Sequence, residues 1–168
     1  MASGGIHDQL GGGFHRYTVE RTWLVPHFEK MLYDNAQLAT LYMEAAAAFS
    51  EPRYLDVATK TLDFMLKEMH DPKGGFYASY DADSGGEEGT FYVWTPEELK
   101  RLTNAADGEA LAHLLGVTEE GNFEHKTSIL TWRSSFKEVA KKTRRSPKEI
   151  KALWETWQPV LYAARAER

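Results

Sequence analysis

The stretch WLVPHFEKMLYDNAQLATLYMEAAAAF, residues 23–49, carries the most regular apolar periodicity of the chain. Its spacing predicts one long helix over 27–49, entered through Pro26. Phe28, Leu32, Ala36, Ala39, Met43 and Ala46 form one apolar flank. Met31, Leu38, Leu41, Tyr42 and Ala45 form a second. Between them runs a polar strip of Glu29, Tyr33, Gln37, Thr40 and Glu44, with His27, Lys30 and Asp34 crowded at its N-terminal end. Two apolar flanks predict neighbours on both sides, and the alanine run lets those neighbours come close. The polar strip must then face water, as outer solvent or as an interior cavity.

The next segment differs. In PRYLDVATKTLDFMLKEMHD, residues Tyr54, Ala58, Leu62, Met65 and Met69 make a single stripe, with Asp56, Lys60, Asp63 and Lys67 opposite. This predicts an outer helix over 53–70, antiparallel to an inner and more buried first helix. The runs GGFYASY and TFYVW flank a Gly/Asp/Ser turn and predict a β-hairpin. GGF at 12–14 returns at 74–76, 62 residues further on, as expected of a repeating helical-hairpin array. Further helix starts are marked by Thr95-Pro96 with Glu98, by Ser135 with Glu138 and by Ser146-Pro147 with Glu149; Gly116 marks a helix end. The last helix carries Ile150, Leu153, Trp154, Trp157 and Leu161 on one side, and Pro159 is expected to kink or interrupt it. The class is all-α with small β-hairpins between helices.

Composition narrows the chemistry. A chain of 168 residues is long enough for one domain with a real core. A net charge of −5 argues against a nucleic-acid surface, and the basic cluster at 137–151 is interleaved with acids as on a solvated helix face. With no cysteine, disulfides, thiolate metal sites and cysteine nucleophiles are excluded. No apolar run approaches the ~20 residues of a membrane span, and no signal peptide is legible, so the expected location is cytoplasmic. Asp81-Ala82-Asp83-Ser84-Gly85-Gly86 begins like a calcium loop, but its twelfth position is Tyr92 rather than a bidentate Glu. It reads as a turn with aspartates capping backbone N–H groups. No metal or cofactor is implied.

GGFHRY, WLVPHFEKMLYDNAQL, GGFYASYDAD, EGTFYVW and GNFE together resemble one family of unknown function, the spermatogenesis-associated protein 20 family, strongly over residues 4–132 and loosely beyond. That family joins an N-terminal thioredoxin-like domain to an (α/α) six-hairpin toroid, similar to those of N-acylglucosamine 2-epimerases and six-hairpin glycosidases. The resemblance implies a partial toroid. Residues 1–168 would be a single-domain fragment lacking the thioredoxin-like domain and the later hairpins. Self-association is expected, because an incomplete ring exposes its terminal helices.

By the same resemblance the polar end of the first helix would face the toroid's lumen. His15 and His27 are then candidates for proton transfer, with Glu29, Asp81 and Asp83 as candidate catalytic carboxylates. Arg16, Tyr17, Lys30, Tyr33, Asp34 and Trp94 are candidates for holding a sugar or polyol. Lys30 and Asp34 keep a second reading, as an i,i+4 ion pair on a helix surface. The implied function is that of a carbohydrate-type toroid segment, epimerase- or glycosidase-like and inactive alone. The alternative is a non-catalytic binding or scaffold module of a thioredoxin-like redox protein.

Overall fold

The computed structural model describes all residues 1–168, and the chain divides into two compact units. The first comprises residues 6–90 with Met1–Ala2; the second comprises residues 91–168 with Ser3–Gly5. The architecture is mostly α with small β-hairpins, as the periodicity predicts.

In the first unit the segment ahead of the long helix is extended. Tyr17–Thr18 (β1) pairs antiparallel with Pro26–His27 (β2), and Lys30–Met31 (β3) pairs with Ser79–Tyr80 (β4). The helix α1 spans Leu32–Phe49, so the start expected at 27 is too early. The reason is competition for backbone groups. Glu29 C=O accepts from Arg16 N–H, and Leu32 N–H donates to Ala78 C=O. Residues committed to these ladders cannot also close helical rings.

Ser50, in the left-handed conformation, ends α1 and leads into α2, Pro52–Phe64, which continues as a π-helical turn over Met65–Met69. The expected inner and outer roles are reversed in this chain. α2 buries Val57, Ala58, Thr61 and Phe64, whereas α1 buries only Asn35 and Ala39. One side of α1 meets Ile6, Phe14 and Val57 through Leu38 and Tyr42. On the rest of its surface Leu41, Met43 and Phe49 stand exposed. The polar strip does reach water: Tyr33, Gln37, Thr40 and Glu44 are all exposed.

The hairpin expected between GGFYASY and TFYVW is also wired differently. Ser79–Tyr80 goes to β3, while Val93–Trp94 (β7) pairs with Ser128–Ile129 (β8) in the second unit. The hairpin that forms lies inside the turn, Asp83–Ser84 (β5) against Glu87–Glu88 (β6). Its two-residue loop, Gly85-Gly86, has φ of 65° and 90°, the positive pair that a tight right-twisted hairpin requires.

The second unit is built from α3 (Pro96–Leu102), α4 (Ala105–Leu115), α5 (Phe136–Thr143) and α6 (Pro147–Arg165). The predicted caps form. Thr95, Ser135 and Ser146 each complete a capping box with Glu98, Glu138 and Glu149, and Gly116 closes α4 in the left-handed region. α6 runs through Pro159 as one element, burying Ile150, Leu153, Trp154 and Leu161. Leu99, Leu111, Leu114, Leu115 and Val139 are buried in the same unit.

Candidate functional site

The first unit is locked by a buried ion pair. Lys30 Nζ lies 2.8 Å from Asp8 Oδ2, donates to Gly12 C=O at 2.9 Å, and sits 4.2 Å above the Phe64 ring. Its side chain is 1% exposed. The other oxygen of Asp8 accepts from the N–H groups of Leu10 and Gly11. A buried ammonium with those partners is satisfied on several sides, so it can remain charged. A second clamp comes from Asn35 on α1. Its Oδ1 accepts from Phe14 N–H at 2.6 Å, and its Nδ2 donates to Phe14 C=O at 3.0 Å and Met31 C=O at 2.9 Å. One amide thus stands in for a neighbouring strand. The two clamps hold the glycine-rich turn against the hairpin of helices, and that turn delivers His15, Arg16 and Tyr17.

These three residues line a cavity of about 570 Å³, with Asp34 and Gln37 of α1 and Trp23 of the β1–β2 loop. The volume suits a small molecule. Ile6, Leu38 and Leu41 supply apolar lining. His15 is buried, with Nδ1 2.9 Å from Phe28 C=O. A carbonyl can only accept, so in the neutral ring Nδ1 carries the proton and Nε2 is the basic nitrogen. Oδ2 of Asp34 is shielded from water and accepts no hydrogen bond. Burial raises the Asp34 carboxyl above the ordinary carboxylate range; Arg16 opposes this and Glu29 adds to it.

A charged row borders this cavity. Arg16 reaches Glu29 at 3.2 Å, and His27 lies between Glu29 at 3.8 Å and Glu88 at 2.8 Å. Tyr17 stacks on His27 with ring centroids 5.0 Å apart. Through Glu88 the β5–β6 hairpin is fastened to β2.

The candidates therefore separate. His15, Arg16, Tyr17 and Asp34 line one cavity, while His27 and Glu29 belong to the charged row. Lys30 is buried against Asp8 and is not on the helix, so the i,i+4 pair with Asp34 does not form. Tyr33 is exposed on α1. Asp81 and Asp83 are exposed, and Asp81 Oδ1 accepts from Asp83 N–H at 3.1 Å, the turn-capping role. Trp94 belongs to the second unit, fully buried, with the Arg168 guanidinium 4.2 Å from its ring centre.

Sequence reasoning missed Asp8, Asn35 and Trp23 as parts of this arrangement, and read Gln37 only as part of the polar strip. Asn35 carried a signal, as an amide among the apolar positions of a helix. Trp23 carried none, because its role depends on its backbone conformation.

Fold and cavity define a mostly helical chain with a small-molecule-sized cavity beside the first helical pair. No family model matches it. By sequence the whole chain is homologous to a stretch of the spermatogenesis-associated protein 20 family. It is 36% identical over 192 aligned positions to spermatogenesis-associated protein 20 of Mus musculus and, equally, of Homo sapiens. It is also 33% identical to an uncharacterized protein of Caenorhabditis elegans. Each alignment covers all of this chain but only 24% of the mouse and human proteins and 26% of the nematode one. The chain thus spans about a quarter of the length of the curated relatives it matches. No helix is long and apolar enough to cross a membrane.

Proposed function

We propose that the chain is a segment of a carbohydrate-type α/α toroid and that its cavity binds a sugar or polyol. The observation that carries this is the cavity wall itself. Tyr17 and Trp23, each about half exposed, offer flat apolar faces for a sugar ring. His15, Arg16, Asp34 and Gln37 offer donors and acceptors for hydroxyl groups. Epimerase-like proton transfer would fall to Nε2 of His15. Hydrolysis would need two carboxylates across the scissile bond, and Asp34 alone lines the cavity. The segment by itself is therefore a binding wall rather than a complete catalyst. A thermal-shift panel of sugars and polyols, followed by two-dimensional NMR, tests this. The expected result is a ligand-dependent rise in Tm with shifts at His15, Trp23 and Gln37. A panel in which no compound moves those resonances overturns it.

A second reading rests on the apolar side chains the helical hairpin leaves exposed away from the cavity lining, Met43, Phe49, Leu55 and Leu66. Here the chain is a non-catalytic module that associates through apolar surface, a second copy being the simplest partner. Light scattering across a concentration series tests it, and a monomer throughout sinks it.

A further inference from the structure

The β5–β6 hairpin reaches the cavity through one residue. Phe28 lies in the short link between β2 and β3 and belongs to neither ladder. Its backbone is held from two sides instead. Its N–H donates to Glu88 Oε1 at 3.4 Å, and its C=O lies 2.9 Å from His15 Nδ1. Its buried ring meets the His15 ring edge-on, with centroids 5.3 Å apart. The same ring covers Gly89, where φ is 79° and a Cβ would run into it. The base of the hairpin is anchored at this point. Gly89 N–H donates to Ala82 C=O at 3.2 Å, both residues are buried, and Glu88 Oε1 also takes His27 Nδ1 at 2.8 Å. The Gly85-Gly86 tip, by contrast, stands in open space.

We propose that Glu88 and Gly89 are positioning residues for His15, fixing through Phe28 which of its ring nitrogens carries the proton. In a neutral histidine the tautomer is set by the bonds its two nitrogens make. Phe28 C=O can only accept, so Nδ1 is the donor and Nε2 keeps the lone pair at the cavity residue. Moving that carbonyl away by about 1 Å takes it out of hydrogen-bond range. The proton is then free to pass to Nε2, which loses its basicity in the exchange. Glu88 on the Phe28 N–H and the bare backbone of Gly89 against the ring oppose that movement. Any other residue at 89 meets the positive φ and the ring together. That His15 moves a ligand proton rests on the sugar-site reading above; that the hairpin sets its tautomer does not.

Long-range proton–nitrogen NMR of the ligand-free whole chain, recorded above the ordinary histidine titration range, reads the tautomer directly. The unaltered chain should show His15 in a single Nδ1–H form. Gly89→Ala displaces the Phe28 ring, and Glu88→Ala removes the acceptor of its N–H. Each should turn the single form into an averaged or Nε2–H pattern, Gly89→Ala the more strongly. Glu87→Ala is the control: neighbouring side chains on a strand point to opposite faces, so the pattern should not change. Should Gly89→Ala fail to fold, Glu88→Ala decides. An Nε2–H form in the unaltered chain, a pure Nδ1–H form in every folded variant, or an equal change in Glu87→Ala overturns the proposal. If the tautomer responds as expected while no sugar of the thermal-shift panel binds, the positioning role stands and the sugar-site reading falls. If sugars bind and the tautomer ignores the hairpin, the reverse holds.

Discussion

Two turns of the first unit share one local sequence and meet different fates. His7-Asp8 leads through Gly12-Gly13 to Phe14, and His70-Asp71 leads through Gly74-Gly75 to Phe76. In each, the histidine and phenylalanine form an isolated antiparallel bridge with their rings in contact, at 4.7 Å and 5.4 Å. In each, the aspartate side chain accepts the N–H two residues on, and its carbonyl accepts from a glycine N–H. The glycines sit at positive φ in both. Yet the first turn is buried throughout its bridge, with Lys30 beside it, while His70, Gly74, Gly75 and Phe76 are exposed. Local chemistry makes the turn; surroundings decide what it is worth.

The largest expected break in this symmetry is at Lys30. Lys30→Met strands Asp8 as a buried charge and should destabilise the chain by about 3–5 kcal/mol. Denaturant titration measures this, and a loss near zero would mean that the buried pair contributes nothing net. The exposed turn has no counterpart to lose.

Acid should strike the buried copy next. His7 is 3% exposed, with both ring nitrogens closed to water. Burial drives its pKa down to about 4; Asp8 and Gln9 pull the other way, and Lys30 and Lys60 add to the fall. The folded value lies below the unfolded one of about 6.5, so the folded state resists taking up the proton. The stability present above pH 6.5 is therefore lost as pH falls towards 4, by about 3 kcal/mol in all. Urea melts across that window should show the loss, and His7→Leu should flatten it. An unchanged slope in that variant would assign the acid limb to other groups.

Glycine replacement sharpens the comparison further. Gly13 has φ of 76°, and a Cβ there would collide with the Phe64 ring; Gly75 has φ of 88° and open space around it. Gly13→Ala should cost about 2–3 kcal/mol from strain plus overpacking, against about 1 kcal/mol of strain alone for Gly75→Ala. Equal losses in thermal melts would mean that the packing against Phe64 is easily relieved.

The smallest effect is at the outer aspartate. Asp71→Asn keeps the local cap on Lys73 N–H and should change stability by less than about 0.5 kcal/mol. Asp8→Asn removes the charge opposing Lys30 and should cost several times more.

The sequence by itself determined the elements whose causes are local. Capping boxes at Thr95, Ser135 and Ser146 formed because each needs only four consecutive residues. The glycine end of α4, the apolar side of α6 and the mostly helical class were legible for the same reason. His15, Arg16, Tyr17 and Asp34 were named as candidates by resemblance, and the fold puts all four on the lining of one cavity. What lay beyond the sequence was every choice among competing partners. Lys30 fits an i,i+4 pair with Asp34 as well as a buried pair with Asp8, and only the placement of β3 beside the N-terminal turn decides between them. Ser79–Tyr80 and Val93–Trp94 are both plausible hairpin strands, but each finds its ladder with a segment distant in sequence. The burial of α1 followed the same rule. Periodicity marks which faces are apolar, but whether a face is covered depends on what the rest of the chain brings to it, and only one side of α1 finds such a neighbour.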